Sequence, residues 1–427
     1  MDQLNNILNA PAGMKSYLPQ KALGFEKIKN KINEIFKIWG YTPIITPVLE
    51  NYNSLITGMG QDTKKEFYKL IDYEGNILAL RPEMTAPIAR TVVNRMDELE
   101  LPLRLSYYAP VFRYDSPQMG KNREIHQMGL EYIGENIFAD AEAIIIAIES
   151  IKNTGIKNFK IDLGHTDYLN GILNKFNLNL ETESKVKKFL NKKDFVGFRG
   201  YVDNLDLDPE DKAILKDLPL LRGKKSILNK ARTLVENQNS LQAIDKLEDI
   251  YSYLVSYEVE DYVNFDLSLM RGMDYYTGMI FEGFTEKLGY TICGGGRYDN
   301  LIKKYGGVKI PAVGFAMGIQ RISLALEKSN DQNVDTKIDG VVVFDNKNRK
   351  KALEITRKLH KKGFTIIIRE NKEMEELMSK FKRKNVNKII SFIDYKKDNM
   401  VEVIEIPTLN KKKIILEEGW ENQVWVN

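Results

Sequence analysis

The middle of the chain, from about 168 to 258, differs in pattern from the sequence on either side. It is rich in lysine, leucine and aspartate, contains few aromatic residues, and has apolar residues at helical spacing. The flanking stretches instead carry short alternating or clustered apolar runs separated by turn residues, which is typical of strands. We therefore expect one sheet domain whose strands come from both flanks, with a helical segment inserted between them.

The N-terminal flank begins with an amphipathic helix followed by strands. Apolar residues at spacings of three and four predict this helix over 21–39, ended by Gly40: Phe25, Ile28, Ile32, Ile35, Phe36 and Trp39. Pro43 and Pro47 make the next segment, YTPIITPVLE, an edge or interface strand, because proline cannot donate to a central ladder. Further strands are predicted over 77–81, 103–114, 128–134 and 159–164, with a helix over 139–153.

The C-terminal flank closes with AVGFAMGIQRISLALEK, a strand running into a helix, and then with the polar segment SNDQNVDTK, a plausible linker. We expect a core over 1–328, with the insertion at about 168–258, and a separate α/β domain over 338–427. From Val341 onward there are 20 lysines and arginines against 13 acidic residues, so the basic character belongs to the tail. Solvated lysine-rich helix faces or an RNA-binding surface would both explain it.

Composition narrows the class of protein. With 427 residues, 43% hydrophobic and 29% charged, the chain has the composition of a soluble globular protein of two or three domains. A single cysteine, Cys293, allows no intrachain disulfide, and neither a signal sequence nor an apolar run of 18 residues is found, so a cytoplasmic location is expected. The three histidines are scattered without ligand spacing, and no metal site or cofactor is expected.

The segment CGGGRYDNL is the obvious candidate for a phosphate-binding loop. It lacks a lysine followed by serine or threonine, and Asp299 stands where a dinucleotide fingerprint requires glycine. A strand bulge or a close approach of two backbones explains these glycines better.

Arginines at the edges of strands and glycine turns indicate binding of an anion. A guanidinium donates two parallel hydrogen bonds, which suits carboxylates and phosphates. Ordinary surface ion pairs are the alternative for any one of them. The five positions are Arg113, Arg123, Arg271, Arg297 and Arg321.

Carboxylates occur near the same segments, at Glu83, Asp115, Glu124, Glu131 and Asp274. Glu83 and Glu131 could hold a cationic amino group, with Gln127 and the hydroxyls of Tyr275 and Tyr276 as orienting partners. A tyrosine pair is otherwise usually part of a core. No Ser/His/Asp or Cys/His nucleophile set is present. The residues therefore indicate a site for a zwitterion beside a site for phosphates.

These segments, in this order, resemble the class II aminoacyl-tRNA synthetases, and specifically the histidyl branch, over nearly the whole chain. IWGYTPIITPVLE resembles motif 1, the helix and strand of a dimer interface; YYAPVFRYDSPQMGKNREIHQMGLEYIG resembles motif 2; and VGFAMGIQRISLAL resembles motif 3. RGMDYYTG and GGGRYDNL are similar to the two histidine-specific signatures of that branch. The resemblance implies an α+β fold: an antiparallel sheet flanked by helices, a helical insertion, and a C-terminal α/β domain resembling a degenerate anticodon-binding domain.

The resemblance also implies roles for individual residues. Those implied to bind histidine are Glu83, Thr85, Gln127, Glu131, Arg271, Tyr275 and Tyr276. Those implied to form an ATP-phosphate site, or its remnant, are Arg113, Asp115, Arg123 and Arg321. Arg271 would lie near the histidine carboxylate, where in a working synthetase it offsets charge as that carboxylate attacks the α-phosphate.

Two kinds of protein share this branch: histidyl-tRNA synthetases, and the catalytically silent regulatory subunits of ATP phosphoribosyltransferase. Met84 replaces a glycine of the synthetases, where its bulk would cost about 1 to 3 kcal/mol or displace a ligand. Asp115 replaces a glutamate of motif 2, and Gln320 replaces the glutamate before the motif 3 arginine. The insertion also resembles the regulatory subunits, whereas the tail domain and the intact RGMDYYTG favour a synthetase.

We therefore expect a non-catalytic cytoplasmic subunit, without catalytic residues of its own, that acts in histidine biosynthesis. It would form a homodimer within a larger hetero-oligomer with the short catalytic subunit of ATP phosphoribosyltransferase, and would transmit feedback inhibition by histidine. The alternative is histidyl-tRNA synthetase, with tRNA as a partner. A third alternative is a paralogue that makes or binds histidyl adenylate for another acceptor.

Overall fold

The computed structural model of the chain describes residues 7–114, 122–272, 275–286, 288–328, 338–370, 381, 386–392 and 400–425. The chain divides into two compact units, Met1–Gln332 and Asn333–Asn427. No helix in the described part of the chain is long and apolar enough to cross a membrane.

Twelve strands are described in the first unit. In chain order they are β1 (Thr42–Pro43), β2 (Leu49–Asn51), β3 (Lys69–Ile71), β4 (Ile77–Leu80), β5 (Leu103–Phe112), β6 (Glu124–Ile133), β7 (Phe159–His165), β8 (Arg222–Gly223), β9 (Val263–Asp266), β10 (Met279–Thr285), β11 (Thr291–Arg297) and β12 (Ala312–Gly318). Nine of them form one sheet in the order β1-β5-β6-β12-β11-β10-β7-β9-β8. Neighbours in that sheet are antiparallel except the parallel pairs β1–β5 and β7–β9. Strands β2, β4 and β3 form a separate small antiparallel sheet.

Some helices of the first unit flank the strands described above, and others form the insertion. In chain order those of the first unit are α1 (Pro19–Ile38), α2 (Tyr52–Met59), α3 (Thr85–Asn94), α4 (Ala139–Thr154), α5 (Thr166–Lys175), α6 (Leu180–Lys192), α7 (Phe195–Asp203), α8 (Pro209–Asp217), α9 (Ser226–Thr233), α10 (Gln238–Ser256), α11 (Leu301–Lys304) and α12 (Ile319–Lys328). Helices α5 to α10 follow one another with only the 3-10 helix Leu218–Leu220 and the short strand β8 among them. The predicted helical insertion is therefore present between strands that share one sheet.

The predicted first helix is confirmed, as α1. Its buried residues include four of the six in the predicted apolar stripe: Phe25, Ile28, Ile32 and Phe36. This face packs against α4, whose run of alanines and isoleucines is buried almost all round because it lies between α1 and the sheet. At the end of α1, Nε1 of Trp39 donates a hydrogen bond to Glu149 of α4 at 2.6 Å.

Only part of the segment YTPIITPVLE forms ladder pairs with neighbouring strands. Only Thr42 and Pro43 form ladder pairs with β5, at the edge of the large sheet, and pairing resumes in β2. Prolines 43 and 47 lack the N–H that a continuous ladder needs. The predicted edge position is confirmed, and Ile45 between the two prolines is 92% exposed.

The second unit contains a mixed sheet of five strands. They are β13 (Ile338–Phe344), β14 (Ile366–Glu370), β15 (Val386–Phe392), β16 (Met400–Glu405) and β17 (Lys411–Ile415), with helices α13 (Arg349–Lys361) and α14 (Trp420–Trp425). The spatial order is β14-β13-β15-β16-β17, parallel on both sides of β13 and antiparallel beyond β15. The sequence also predicts a helix over 372–384, a segment that lies outside the described residues except for Phe381.

Candidate functional site

Glu83 lies at the N-terminal end of helix α3 and is 3% exposed. Its two carboxylate oxygens accept hydrogen bonds from the backbone N–H groups of Thr85 and Ala86, both at 2.7 Å. These N–H groups belong to the first turn of the helix, which has no intrahelical acceptors for them. The side chain is thereby fixed in one orientation in the protein interior.

A second buried glutamate, Glu131 on strand β6, lies beside Glu83 and is 1% exposed. It accepts hydrogen bonds from Oγ1 of Thr85, at 2.8 Å, and from the hydroxyl of Tyr298. Thr85 therefore contacts both carboxylates, one through its backbone N–H and one through its hydroxyl. We refer to Glu83 and Glu131 as the carboxylate pair.

Burial raises the pKa of both members of the carboxylate pair. The pKa of Glu131 rises to about 8 because burial disfavours the charged form and because Glu83 is close, against the opposing hydrogen bonds from Tyr298 and Thr85. Burial likewise raises the pKa of Glu83, although the N–H groups of Ala86 and Thr85 and the charge of Arg113 oppose it. A cation that bound beside the pair would favour the ionised form of these carboxylates.

Glycines on neighbouring strands provide the space that this arrangement needs. Gly314 on β12 lies opposite Glu131 in the ladder. A Cβ atom there would lie 2.6 Å from Cδ of Glu131 and 2.5 Å from the carbonyl oxygen of Leu130. A side chain at this position would therefore displace the buried carboxylate.

Aromatic rings lie beside the carboxylate pair. The rings of Tyr275 and Tyr276 are 4.9 Å apart between centroids, and those of Tyr275 and Tyr298 are 5.9 Å apart. The hydroxyl of Tyr275 donates to Glu83 at 3.4 Å. Tyr275 is also part of a buried apolar cluster with Tyr298, so the tyrosines belong both to the packing of the core and to the site.

Arg271 lies beside Tyr276, one of these tyrosines. Its Nη1 donates to the carbonyl oxygen of Phe281 at 3.2 Å and lies 3.5 Å from Oε1 of Glu282. Its guanidinium carbon lies 5.7 Å from the centroid of the Tyr276 ring, within the range of a cation–π contact. Glu282 is shared with the insertion, because Nζ of Lys193 lies 3.6 Å from its other oxygen.

Two polar atoms of the predicted site have no hydrogen-bond partner among the described residues, although both are buried. One is Nε of Arg271, a donor, and the other is Oε1 of Gln127, an acceptor. Buried polar groups are rarely left without partners, because the missing hydrogen bond costs about 1 to 3 kcal/mol. A donor and an acceptor in the same site match a ligand that carries both a carboxylate and an ammonium group.

The triple glycine of CGGGRYDN lies in strand β11, in the interior of the large sheet. A Cβ atom on Gly294 would collide with the guanidinium of Arg271, and one on Gly295 would lie 2.7 Å from Cα of Phe315 on β12. The prediction that these glycines allow a close approach is confirmed. They make room for Arg271 and for the neighbouring strand, and the segment is not a phosphate-binding loop.

Arg113 and Arg321 hold backbone carbonyl groups and form no ion pair with any described residue. Nε of Arg113 donates to the carbonyl oxygen of Pro82 at 2.8 Å, and Nη1 of Arg321 donates to that of Thr291 at 2.7 Å. Burial lowers the pKa of Arg321, and the charges of Arg113 and Arg271 lower it further. Guanidinium groups that repel one another in this way form a favourable site for an anion.

Other predicted residues lie elsewhere or are not described. Arg297 is not available to an anionic ligand in the predicted way, because it pairs with Asp140, at 2.7 Å, and with Asp299, at 3.1 Å. Arg123 packs over the ring of Tyr114 and donates to the carbonyl oxygen of Ala12. Asp115 and Asp274 lie outside the described residues, and Glu124 lies 3.8 Å from the ring of His126.

The two substitutions that distinguish the chain from synthetases at described positions have ordinary structural environments. Met84 is 1% exposed, packs in the cluster that contains Tyr275 and Tyr298, and has a φ of −108°, which any residue adopts. That its bulk displaces a ligand stays a prediction. Gln320 accepts from the backbone N–H of His126 at 3.0 Å, so a neutral amide is hydrogen bonded at this position.

Sequence reasoning missed Tyr298 and Glu282 as parts of the site. Tyr298 lies inside the GGGRYDN motif, and its hydroxyl contacts Glu131 across 167 positions of sequence. Glu282 follows RGMDYYTG on strand β10 and lies beside Arg271. The only signal in the sequence for either residue was its position inside or next to one of these motifs. Among the described residues no group of three or more His, Cys, Asp or Glu side chains could hold a metal ion.

Comparison with known proteins places this chain in a family. A sequence model of the family described as "Histidyl-tRNA synthetase" matches residues 13–322. An ATP phosphoribosyltransferase regulatory subunit from Halothermothrix orenii is 50% identical over 94% of this chain and 96% of its own length. A histidine–tRNA ligase from Methanocaldococcus jannaschii is 36% identical over 84% of this chain and 85% of its own.

A solved structure supports the same assignment. A protein from Bacillus halodurans, described as an ATP phosphoribosyltransferase regulatory subunit/histidyl-tRNA synthetase, superposes with a TM-score of 0.81 at 33% identity. The match covers 91% of this chain and 99% of that one. The predicted α+β fold of the class II synthetases is therefore confirmed. The chain belongs to the histidyl-tRNA synthetase family and, within it, to the branch of the ATP phosphoribosyltransferase regulatory subunits.

Proposed function

We propose that this chain is a non-catalytic regulatory subunit of ATP phosphoribosyltransferase, in the cytoplasm, and that it binds histidine as a feedback effector. It assembles with the short catalytic subunit, which condenses ATP with phosphoribosyl pyrophosphate in the first step of histidine biosynthesis. Regulation then requires a coupling of about 1 to 3 kcal/mol between the histidine site and the subunit interface.

The observation that carries the histidine proposal is a pair of buried atoms without a hydrogen-bond partner among the described residues, Nε of Arg271 and Oε1 of Gln127. A histidine carboxylate accepts from Arg271, and an ammonium group donates to Gln127. Histidine carries a second nitrogen-bearing group, the imidazole, which can also donate a hydrogen bond. The carboxylate pair provides acceptors for both groups, and the adjacent tyrosines provide flat surfaces for a ring.

The residue before the motif 3 arginine supports a subunit that does not activate histidine. Gln320 stands where synthetases carry a glutamate, and its amide is hydrogen bonded to the backbone of β6. A neutral side chain there does not supply the negative charge of the glutamate it replaces. Retention of Arg271 is compatible with binding alone, because the guanidinium that would stabilise a transition state also recognises the ground-state carboxylate.

Exposed apolar residues around the small sheet support a homodimer. Several residues of this region are large, apolar and exposed: Ile45, Leu49, Leu70, Ile71 and Ile77. They surround the segment that resembles the class II dimer-interface motif. Ile71 and Ile77 are paired in the small sheet, and exposed apolar side chains that lie together are typical of a protein–protein contact.

Histidyl-tRNA synthetase is a second candidate function, with tRNA as a partner. Arg113 and Arg321 favour it, because both are retained and form no ion pair with a described residue. The 36% identity to the Methanocaldococcus jannaschii ligase favours it as well. A paralogue that makes or binds histidyl adenylate for another acceptor is the third.

Two assays on the purified chain separate these functions. The first measures histidine-dependent exchange of pyrophosphate into ATP, with an active histidyl-tRNA synthetase as a positive control. The second mixes the chain with a short catalytic subunit and measures phosphoribosyltransferase activity with and without histidine. We expect no exchange, restored transferase activity, and inhibition of that activity by histidine. Robust exchange would instead call for a third assay, of tRNA charging. Charging would establish the synthetase, and exchange without charging would establish the third candidate.

A matched pair of variants tests the site. Arg271→Met removes the donor to the ligand carboxylate, and histidine binding measured by calorimetry should weaken by about tenfold or more. Arg232→Met removes an arginine that pairs with Asp245 and Glu248 on the insertion surface, and serves as the control. Equal histidine affinity in the two variants would contradict the assignment of Arg271.

A further inference from the structure

The C-terminal end of helix α6, in the insertion, lies against the segment that carries Arg271. A Cβ atom added at Gly272, the next residue in the chain, would lie 3.2 Å from Nδ2 of Asn191 on this helix. Lys193 follows the last residue of the helix, and its Nζ lies 3.6 Å from Oε2 of Glu282 on strand β10. The insertion therefore contacts the neighbourhood of Arg271 at two points.

The backbone of Lys193 has a left-handed conformation, with a φ of 54°. Glycine is the usual residue at such a helix end, because a Cβ atom is crowded in this conformation. The side chain nevertheless crosses to the sheet, where its Nζ also lies 4.2 Å from the centroid of the Phe284 ring. Residues held in such sparsely populated conformations tend to occur at functional sites.

Glu282 is shared between two cations. Its Oε1 lies 3.5 Å from Nη1 of Arg271, and its Oε2 lies 3.6 Å from Nζ of Lys193. Both distances exceed the roughly 2.7 to 2.9 Å of a strong charge-assisted hydrogen bond, so neither cation holds the carboxylate fully. The side chain of Glu282 is 15% exposed, and water therefore screens these attractions less than it would at the surface.

Other charges of both signs lie on the same face of the sheet. Asp162 is directly opposite Glu282 in the ladder and pairs with Arg222 of the insertion, whose Nε lies 4.0 Å from Asp266. The charge of Arg321 also acts on Glu282, without an ion pair to any described residue. Carboxylates and cations therefore alternate here, and the loss of one cation strengthens the attraction between its carboxylate and the next cation.

We propose that Lys193 is a positioning residue for the histidine site, because it shares Glu282 and so leaves the guanidinium of Arg271 available to the ligand carboxylate. Without Lys193, Glu282 would pair with Arg271 alone, and the ligand would have to displace a stronger ion pair. This inference rests on the histidine site proposed above and gives the insertion a role in it. The affinity for histidine is then set partly by whether the end of α6 lies on the sheet.

A double-mutant cycle tests this role. Calorimetry measures histidine binding to the unmodified chain, to Lys193→Met, to Glu282→Gln and to the double variant. We expect Lys193→Met to weaken binding by about twofold to fivefold when Glu282 is present, and to have no effect when it is glutamine. An equal loss in both backgrounds would show that the lysine acts on the ligand by its charge alone, and would overturn the proposal.

Further variants separate positioning from folding. Lys193→Gly removes the ammonium group and relieves the left-handed backbone, so this variant should remain stable in urea unfolding and still lose affinity. Lys193→Arg keeps the positive charge and should restore most of the affinity. Lys185→Met, at a lysine of the same helix that pairs with Glu181 at 2.7 Å, should bind histidine as the unmodified chain does.

The unmodified chain distinguishes failure of this inference from failure of the histidine site. If it does not bind histidine, both are wrong. If it binds histidine and Lys193→Gly binds equally well, the histidine site stands and only the role of Lys193 is wrong.

Discussion

A Cβ atom on Gly294 would lie 2.6 Å from Cζ of Arg271. The observed position of the arginine in RGMDYYTG therefore requires a glycine at position 294, in the neighbouring GGG motif. The two residues are neighbours only because β10 and β11 pair in the sheet and the RGMDYY segment precedes β10. The two motifs therefore depend on each other, because the guanidinium of Arg271 lies against Gly294 of strand β11, where no side chain takes up the space.

Gly294→Ala tests this relationship. The added methyl group should force Arg271 away from the site and weaken histidine binding by about 1 to 3 kcal/mol, measured by calorimetry. Gly289→Ala is the matched control, because a Cβ atom at Gly289 has no neighbour within 4 Å. Histidine affinity that is unchanged in Gly294→Ala would show that Arg271 does not contact the ligand.

The carboxylate pair predicts how stability depends on pH. The pKa of Glu131 is raised from 4.5 to about 8 in the folded chain, so folding takes up a proton between these values. Its contribution is complete below the unfolded pKa and is lost as pH rises through the folded one. The free energy of unfolding of the ligand-free chain, measured in urea, should therefore fall between pH 5 and 8. In Glu131→Gln this component of the pH dependence should disappear.

The same pair predicts proton release when histidine binds. An ammonium group needs an ionised carboxylate, so binding displaces the proton of the pair, and affinity should rise with pH towards 8. Calorimetry in two buffers of different ionisation enthalpy measures the number of protons released. Glu131→Gln provides the comparison, and equal proton release in the variant would contradict the assignment.

Tyr298→Phe removes one of the two hydroxyl donors to Glu131. Loss of a hydrogen bond to a buried carboxylate should destabilise the fold by about 1 to 3 kcal/mol and weaken histidine binding. Tyr168→Phe also removes a buried hydroxyl, whose acceptor is the carbonyl oxygen of Ala231 at 3.1 Å. That control should lose stability and keep its affinity for histidine.

Met84→Ala tests whether this residue is part of the packing. Because Met84 is 1% exposed, truncation should leave a cavity and cost about 2 to 5 kcal/mol in urea unfolding. Met84→Leu preserves the volume and should cost less than about 1.5 kcal/mol. A stable Met84→Ala variant with stronger histidine binding would instead indicate that the thioether obstructs the ligand.

The sequence was sufficient where a feature depends on local spacing. Helix α1 follows from the repeat of Phe25, Ile28, Ile32 and Phe36, which buries one face wherever the helix packs. The motifs likewise pointed to Glu83 and Glu131, because resemblance to a known family indicates which residues distant in sequence lie together. The structure brings these two residues together through Thr85.

Features that depend on distant partners were not predictable. Arg297 looks like an anion-binding residue in sequence, but Asp140, which is 157 positions away, neutralises it. Met84 is a member of a buried cluster, which its neighbours in sequence do not reveal, and that its bulk displaces a ligand stays a prediction. Periodicity gives the direction of a side chain and no information on what that side chain meets.

Glu282 lies between Arg271, at 3.5 Å, and Lys193 of the insertion, at 3.6 Å. A single carboxylate thus serves as counter-ion to two cations that belong to different parts of the fold. A ligand that draws the guanidinium towards itself would leave this carboxylate to the lysine alone. Ligand binding that moved Arg271 would therefore also change an ion pair of the helical insertion.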